Sequence, residues 1–248
     1  MTNFSRNVKA SFYFCPLMGK DKLKKWAENK EFEHVFEPPL LPIIREGQSF
    51  FMKGKWHADF FKNEQPIVLE LGCGKGEYTV GLARRYPHLN FIGVDVKGHR
   101  FHKGAKEAHL EGLKNVAFLR TRIEFIEAFF GENEVSEIWL TFSDPQPLDH
   151  VGNRRITSSF YLNNKYRKFL KKDGILHIKH DNDGVYDKAL AELPAANCTI
   201  LTHHRDIYGE YMLTQPEDVQ DILNIRTFYE QMWLEKGRKV KYVKAVVH

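Results

Sequence analysis

From Ile67 onward the chain alternates short apolar runs with longer stretches whose apolar positions recur every three or four residues. IVLEL (67–71), NFIGVDV (90–96), NVAFLR (115–120), EIWLTF (137–142) and ILHIKH (175–180) have the length and composition of buried strands. Helical periodicity fills the intervals: EYTVGLARRYP, GHRFHKGAKEAHLEGL, a segment containing FIEAFF, SSFYLNNKYRKFLKK and GVYDKALAEL. Pro87 stops the first helix, Gly112 closes the second, and Asp173-Gly174 ends the fourth. Two late strands, CTILTHHR and KVKYVKAVV, flank the helical stretch ILNIRTFYEQMWLEKG. This order predicts an α/β fold with a mostly parallel, seven-stranded sheet and helices on both faces. Residues 1–65 lack the rhythm, and FEPPLLPIIREG, with three prolines, predicts an extended, non-helical linker. The chain therefore divides into an extension and linker, 1–65, and an α/β domain, 66–248.

Sheets of this kind take ligands at the carboxyl ends of their strands. Three of those ends carry chemistry here. The first strand runs into LELGCGKGEY, with Glu70 at its end and Gly72, Gly74 and Gly76 in the turn. Glycines there let a ligand approach the backbone. The spacing is Gly-x-Gly-x-Gly, not the dinucleotide or Walker pattern. An acid at this strand end would repel phosphate and suits a cationic ligand; S-adenosylmethionine carries a sulfonium and an amino group. Asp95 ends the second strand, where an acid accepts from ribose hydroxyls. Taken alone, the loop is also compatible with a tight strand-to-helix turn, and Asp95 with a helix cap. EIWLTF ends in Ser143-Asp144-Pro145-Gln146-Pro147, where two prolines constrain the backbone around one carboxylate. Asp181 follows the fifth strand in HIKHDND. His177 and His180, three apart, point to opposite faces, and no metal site is expected.

Composition narrows the partners. The apolar share of 42% can build a sizeable core, and no apolar stretch approaches a bilayer span. The first residues lack a signal-peptide core, and Cys15, Cys73 and Cys198 form neither a disulfide framework nor a zinc pattern. A cytoplasmic, reduced protein is expected, as monomer or homodimer. The net charge of +5 is modest, but Lys97, Arg100, Lys103 and Lys106 recur at helical spacing. Lysines and arginines cluster again at 165–172 and 236–244, which fits a polyanion such as RNA. The lysines of KVKYVKAVV also fit simple protection of an edge strand.

VLELGCGKGEY, FIGVDVKGHR, TFSDPQP, HIKHDN and the late TFYE together give the chain, from about Lys53 to its end, a resemblance to the tRNA (guanine-N7-)-methyltransferases of the TrmB type. The resemblance implies a Rossmann-like, class I S-adenosylmethionine-dependent methyltransferase fold. It implies methyl transfer to N7 of a guanine in the tRNA variable loop. On matching positions it places Glu70, Asp95, the three loop glycines and the Arg122-Ile123 segment around the cofactor. Asp144 falls in the active site, and Asp181, Thr227 and Glu230 fall on substrate. Arg154 and Arg155 are expected to contact tRNA phosphates. From spacing alone Thr227 and Glu230 fit a capping box equally. Two departures stand out. Arg122 occupies a position where the family usually has an acid that accepts from the adenine amino group, and arginine has no acceptor. Ser143, Gln146 and Leu148 replace the usual Pro, Trp and Lys around Asp144. Rival readings are an exocyclic amino methyltransferase, a small-molecule methyltransferase and a non-catalytic RNA-binding relative.

Overall fold

The computed structural model describes residues 20–143 and 155–248. In chain order the elements are helix α1 (Lys20–Asn29), strand β1 (Val35–Phe36), α2 (Leu40–Glu46), β2 (Ile67–Leu71), α3 (Glu77–Arg85), β3 (Asn90–Asp95), α4 (Gly98–Leu110) and β4 (Val116–Arg120). There follow a 3₁₀ segment (Ile123–Ala128), β5 (Val135–Thr141), α5 (Ser159–Asn164), β6 (Leu170–His180), α6 (Asp183–Ala195), β7 (Cys198–His204), α7 (Glu217–Leu223), α8 (Phe228–Glu235) and β8 (Lys241–Val247). The sheet order is β1-β4-β3-β2-β5-β6-β8-β7, with β8 antiparallel to both its neighbours and all other pairs parallel. The seven expected strands are all present. The eighth, β1, comes from the segment before the α/β alternation and pairs with the edge of β4, Val35 opposite Phe118.

Strand alternation divides the core in two. Ile67, Leu69, Ile138, Leu140, Leu176 and Ile178 point into an apolar layer that also holds Trp56, Tyr161 and Val185. Val68, Trp139, Phe91 and Phe118 point the other way, against Tyr78 and Val80 of α3 and Phe101 and Ala105 of α4. Residues 20–65 contribute to this packing. Trp56 is completely buried, donates from Nε1 to Phe129 O at 3.0 Å, and meets Phe36 edge-on. Helix α1 lies on α4, where Glu28 meets His102 at 2.7 Å and Asn29 donates to Gly98 O.

Three local expectations are corrected. LLPIIRE is a helix: Pro39 sits at its N-cap and Pro42 in its first turn, where a missing N–H is no loss. Gly47, at φ 66°, closes it. The helix expected across SSFYLNNKYRKFLKK ends at Asn164, and Leu170 is already in the sheet opposite Val135. Tyr161, Tyr166 and Phe169 are buried on the way, so the apolar spacing is real but belongs to a short helix, a 3₁₀ turn and a strand. Strand β8 is not an edge, since it lies between β6 and β7, and its Lys241 is buried, donating to Asp181 O at 2.7 Å.

Candidate active site

A cleft of about 890 Å³ opens at the carboxyl ends of β2, β3, β5 and β6. It gathers Glu70, Gly72, Gly74, Asp95, Arg122, Ile123, Arg155, Asp181 and Thr227 from six different segments. Asp144 and Arg154 lie outside the described residues. Gly76 does not line the cleft and serves packing instead. It holds φ 76°, and a Cβ there would stand 2.6 Å from the Phe118 ring. Gly104 of α4 packs against the same backbone, donating to Lys75 O at 2.9 Å. Gly76→Ala is expected to cost about 2 kcal/mol or more, from overpacking plus an unfavourable φ. Urea denaturation measures it, and a change below about 0.5 kcal/mol, the scale of an ordinary surface substitution, would contradict the close approach.

Glu70 is fixed by the two elements beside it. Its Oε2 accepts from Thr79 N at 2.9 Å and Thr79 Oγ at 2.5 Å, and its Oε1 from Thr141 Oγ at 2.5 Å. Burial, opposed by these donors, pushes its carboxyl up to about 7. Asp95 is held by backbone alone: Gly74 N donates to Oδ2 at 3.0 Å and Lys97 N to Oδ1 at 2.8 Å. Burial raises it as well, against those two bonds. The loop is thereby tied to the β3 terminus, with both acids facing one end of the cleft. Arg122 and Glu124 form an exposed ion pair of 2.9 Å on the same wall.

At the β5 exit the backbone is strained and anchored. Phe142 takes φ 46°, rarely adopted by a non-glycine residue, and its N–H donates to Lys179 O at 2.9 Å. His180 then grips Ser143. Asn182 N donates to His180 Nδ1 at 2.9 Å, so Nδ1 is the acceptor and Nε2–H donates to Ser143 O at 2.7 Å. Chain position 144 therefore follows directly on a fixed strand end.

On the opposite wall, Asp181 Oδ2 accepts from Arg238 Nη1 at 2.7 Å, and the Arg238 guanidinium lies 4.1 Å from the Trp233 ring centroid. Phe228 and Tyr229 are exposed at the rim, and Lys75 Nζ sits 3.4 Å over the Phe228 ring. Thr227 and Glu230 form the capping box of α8, and only Thr227 lines the cleft. Glu230 is completely buried: it pairs with Lys179 at 2.8 Å and accepts from Tyr208 OH at 2.6 Å. Sequence reasoning missed Thr79, Thr141, His180 as a strand clamp, Lys179 and Arg238. All but Thr79, nine residues from Glu70, act through a partner far away in the chain, so no short-range motif marks them. Among the described residues no group of three or more His, Cys, Asp or Glu is placed to hold a metal, and no helix is long and apolar enough to cross a membrane.

The strand order, the acid-flanked glycine loop and a cleft at the strand ends define a class I S-adenosylmethionine-dependent methyltransferase. Solved structures share the architecture: the 16S rRNA methyltransferase KamB aligns over 77% of this chain and 91% of its own with a TM-score of 0.57 and 12% identity. A 30S ribosomal A1408 methyltransferase from an uncultured bacterium covers 79% and 98%, with a TM-score of 0.52 and 14% identity. At such identities the likeness concerns the fold alone. Residues 64–243 match a family described as putative methyltransferase. The chain belongs to the tRNA (guanine-N(7)-)-methyltransferase family. It is 50% identical over 232 residues to the tRNA (guanine-N(7)-)-methyltransferase of Bacteroides thetaiotaomicron, spanning 92% of this chain and 86% of that one. It is 47% identical to that of Christiangramia forsetii, over 91% and 97%, and 31% identical to that of Brevibacillus brevis, over 84% and 95%.

Proposed function

We propose that this protein transfers the methyl group of S-adenosylmethionine to N7 of a guanine in the variable loop of tRNA, in the cytoplasm. The reading rests on one observation above others: a cofactor-type loop and a cation-rimmed cleft meet at the strand ends of a chain about half identical to relatives named for this reaction. Residues 66–248 would form the catalytic unit, with the segment before them packed onto it. The residues present fit the cofactor. Gly72 and Gly74 hold positive φ with open space on their Cβ side, and two buried acids flank them. When bound, S-adenosylmethionine supplies a methyl group on a sulfonium, activated for displacement.

Guanine N7 has an in-plane lone pair and no proton, so its attack needs no general base. The lone pair forms the new C–N bond, the sulfur keeps the electrons of the broken S–C bond, and positive charge passes to the purine. What the protein must supply is alignment and a stabilising negative charge. Asp144 is assigned that role, and Asp181 a second contact on the base. Thr227 would touch substrate directly, while Glu230 would act by holding Thr227 and Lys179 in place. Arg154 and Arg155 would position phosphates without reading sequence.

Glu70 gives a pH signature. Its carboxyl sits near 7 in the folded chain against an ordinary 4.5. Between those values the folded protein keeps a proton that the unfolded chain releases. The stability from this group is therefore complete below pH 4.5 and lost as pH rises through about 7. A cationic ligand favours the carboxylate, so S-adenosylmethionine affinity is expected to rise with pH up to about 7 and then level, with proton release on binding. Calorimetry in buffers of different ionisation heat checks this; Glu70→Gln should flatten the profile, and an unchanged slope in that variant would refute the assignment.

The overall reading is tested with labelled S-adenosylmethionine and unmodified tRNA, mapping product by borohydride and aniline scission, which cuts at N7-methylguanosine. Scission at one variable-loop guanine supports the reading. Label in tRNA without scission would shift it to another atom, such as an exocyclic amino group.

A further inference from the structure

A second cavity, of about 230 Å³, lies on the same sheet face as Glu70 but toward the amino ends of the strands. It shares no lining residue with the cleft. Register builds its floor. Trp139 and His177 are direct partners across β5 and β6, so their rings stack with centroids 3.8 Å apart and planes 6° apart. Tyr242 of β8 extends the layer, 6.1 Å from Trp139. Its roof is apolar: Leu82 from α3, with Val219 and Ile222 from α7.

Two side chains in this aromatic box, Glu137 and His177, each keep one polar atom without a hydrogen bond among the described residues. Glu137, two residues before Trp139 on the same face, accepts from Trp139 Nε1 with its Oε1 at 2.7 Å. Among the described residues its Oε2 has no hydrogen bond or ion pair. The His177 ring is buried and uses Nδ1 toward Tyr242 OH at 2.7 Å. Its Nε2 stands 3.0 Å from Glu137 Oε1 in an ion-pair contact but makes no hydrogen bond of good geometry among the described residues. Burial holds this imidazole below its ordinary pKa, hence neutral. A packing void is lined by carbon and stays dry; this cavity holds a buried ring nitrogen left over beside a carboxylate that is 27% exposed, with Lys244 also in its lining, and suits a ligand that supplies their partners.

We propose that this cavity is a binding site for a small, planar, amino-substituted aromatic heterocycle. Its N–H edge pairs with Glu137 Oε2 and His177 Nε2, and its ring lies between the Trp139–His177 floor and the α3–α7 roof. The ligand class follows from three constraints together: a volume of about 230 Å³ walled by aromatic rings, N–H donors for a carboxylate, and a polar edge for a ring nitrogen. Methyl transfer at the cleft involves none of these residues.

The test uses 2-aminobenzimidazole as probe, with the full chain and saturating S-adenosylhomocysteine, followed by calorimetry and saturation-transfer NMR. The probe is expected to bind, and Glu137→Gln, which keeps an acceptor for Trp139, to weaken it about tenfold or more through loss of a charge-assisted bond. Val219→Trp, which fills the roof, should abolish probe binding while thermal melting shows an intact fold. Indene, of the same shape without N–H groups, should bind more weakly than the probe. Absence of binding at millimolar probe, or equal affinity in Glu137→Gln, would each overturn the proposal.

Discussion

Replacing Asp144 by alanine is expected to lower kcat for methyl transfer roughly 10²- to 10³-fold, the usual loss when one preorganised electrostatic contact is removed from a transition state. The expectation follows from the chemistry of N7 and from the strand that leads to this residue. Positive charge builds on the purine only as the new bond forms, so a fixed carboxylate beside the ring favours the transition state over the ground state. Fixing it begins upstream. The strained Phe142, its bond to Lys179 O and the His180–Ser143 bond hold the β5 exit directly before Asp144 in the chain. Loss of alignment should therefore appear in kcat, with S-adenosylmethionine affinity nearly unchanged. Single-turnover kinetics and calorimetry separate the two. If Asp144→Asn instead removed a single ionisation from the pH–rate profile, the residue would be a base and the electrostatic role would fall. His180→Ala, which frees Ser143 O but keeps the Asp144 carboxylate in the chain, is expected to reduce kcat by a smaller factor.

What was legible in the sequence, and what was not, follows the range of the interactions. Apolar runs bounded by turn residues locate β2 to β6 because burial on both faces demands them. Glu70, Asp95 and Asp181 were legible because strand ends in such a sheet face the ligand whatever the surrounding fold does. The Thr79 and Thr141 donors to Glu70 were not, because Thr141 comes from a strand 71 positions away. Prolines misled at 38–42, where their meaning depends on position within the first turn and not on their number. Residues 20–65 read as an appendage, since Trp56 finds its carbonyl partner at Phe129, 73 positions on, and the strand that holds Phe36 pairs with β4. The Thr-x-x-Glu spacing correctly pointed to a capping box, but the lysine that pairs with its glutamate lies 51 positions earlier on β6.

That lysine carries the other large expected effect. Lys179 and Glu230 are both completely buried and form a two-point contact, 2.8 Å to Oε1 and 3.1 Å to Oε2. Lys179 also donates to Leu223 O at 2.7 Å and Ile225 O at 3.2 Å, closing the carbonyls where α7 ends. Burial pulls its ammonium below the ordinary value, and Glu230 opposes that pull. Lys179→Met leaves a carboxylate buried without its cation, and is expected to cost roughly 3–5 kcal/mol of unfolding free energy, read from urea denaturation. Glu230→Gln in the same chain removes the stranded charge, and its one carbonyl oxygen keeps an acceptor for either Tyr208 or Thr227. The double variant should thus regain a large part of that loss, though not all, because the carbonyls of Leu223 and Ile225 remain without a donor. The pair also joins β6, whose end carries Asp181, to α8, whose first turn carries Thr227 and Phe228. If it acts as a positioning link, the double variant, refolded and stable, will still show a raised KM for tRNA with S-adenosylmethionine affinity intact. Full recovery of KM along with stability would reduce the pair to a structural role.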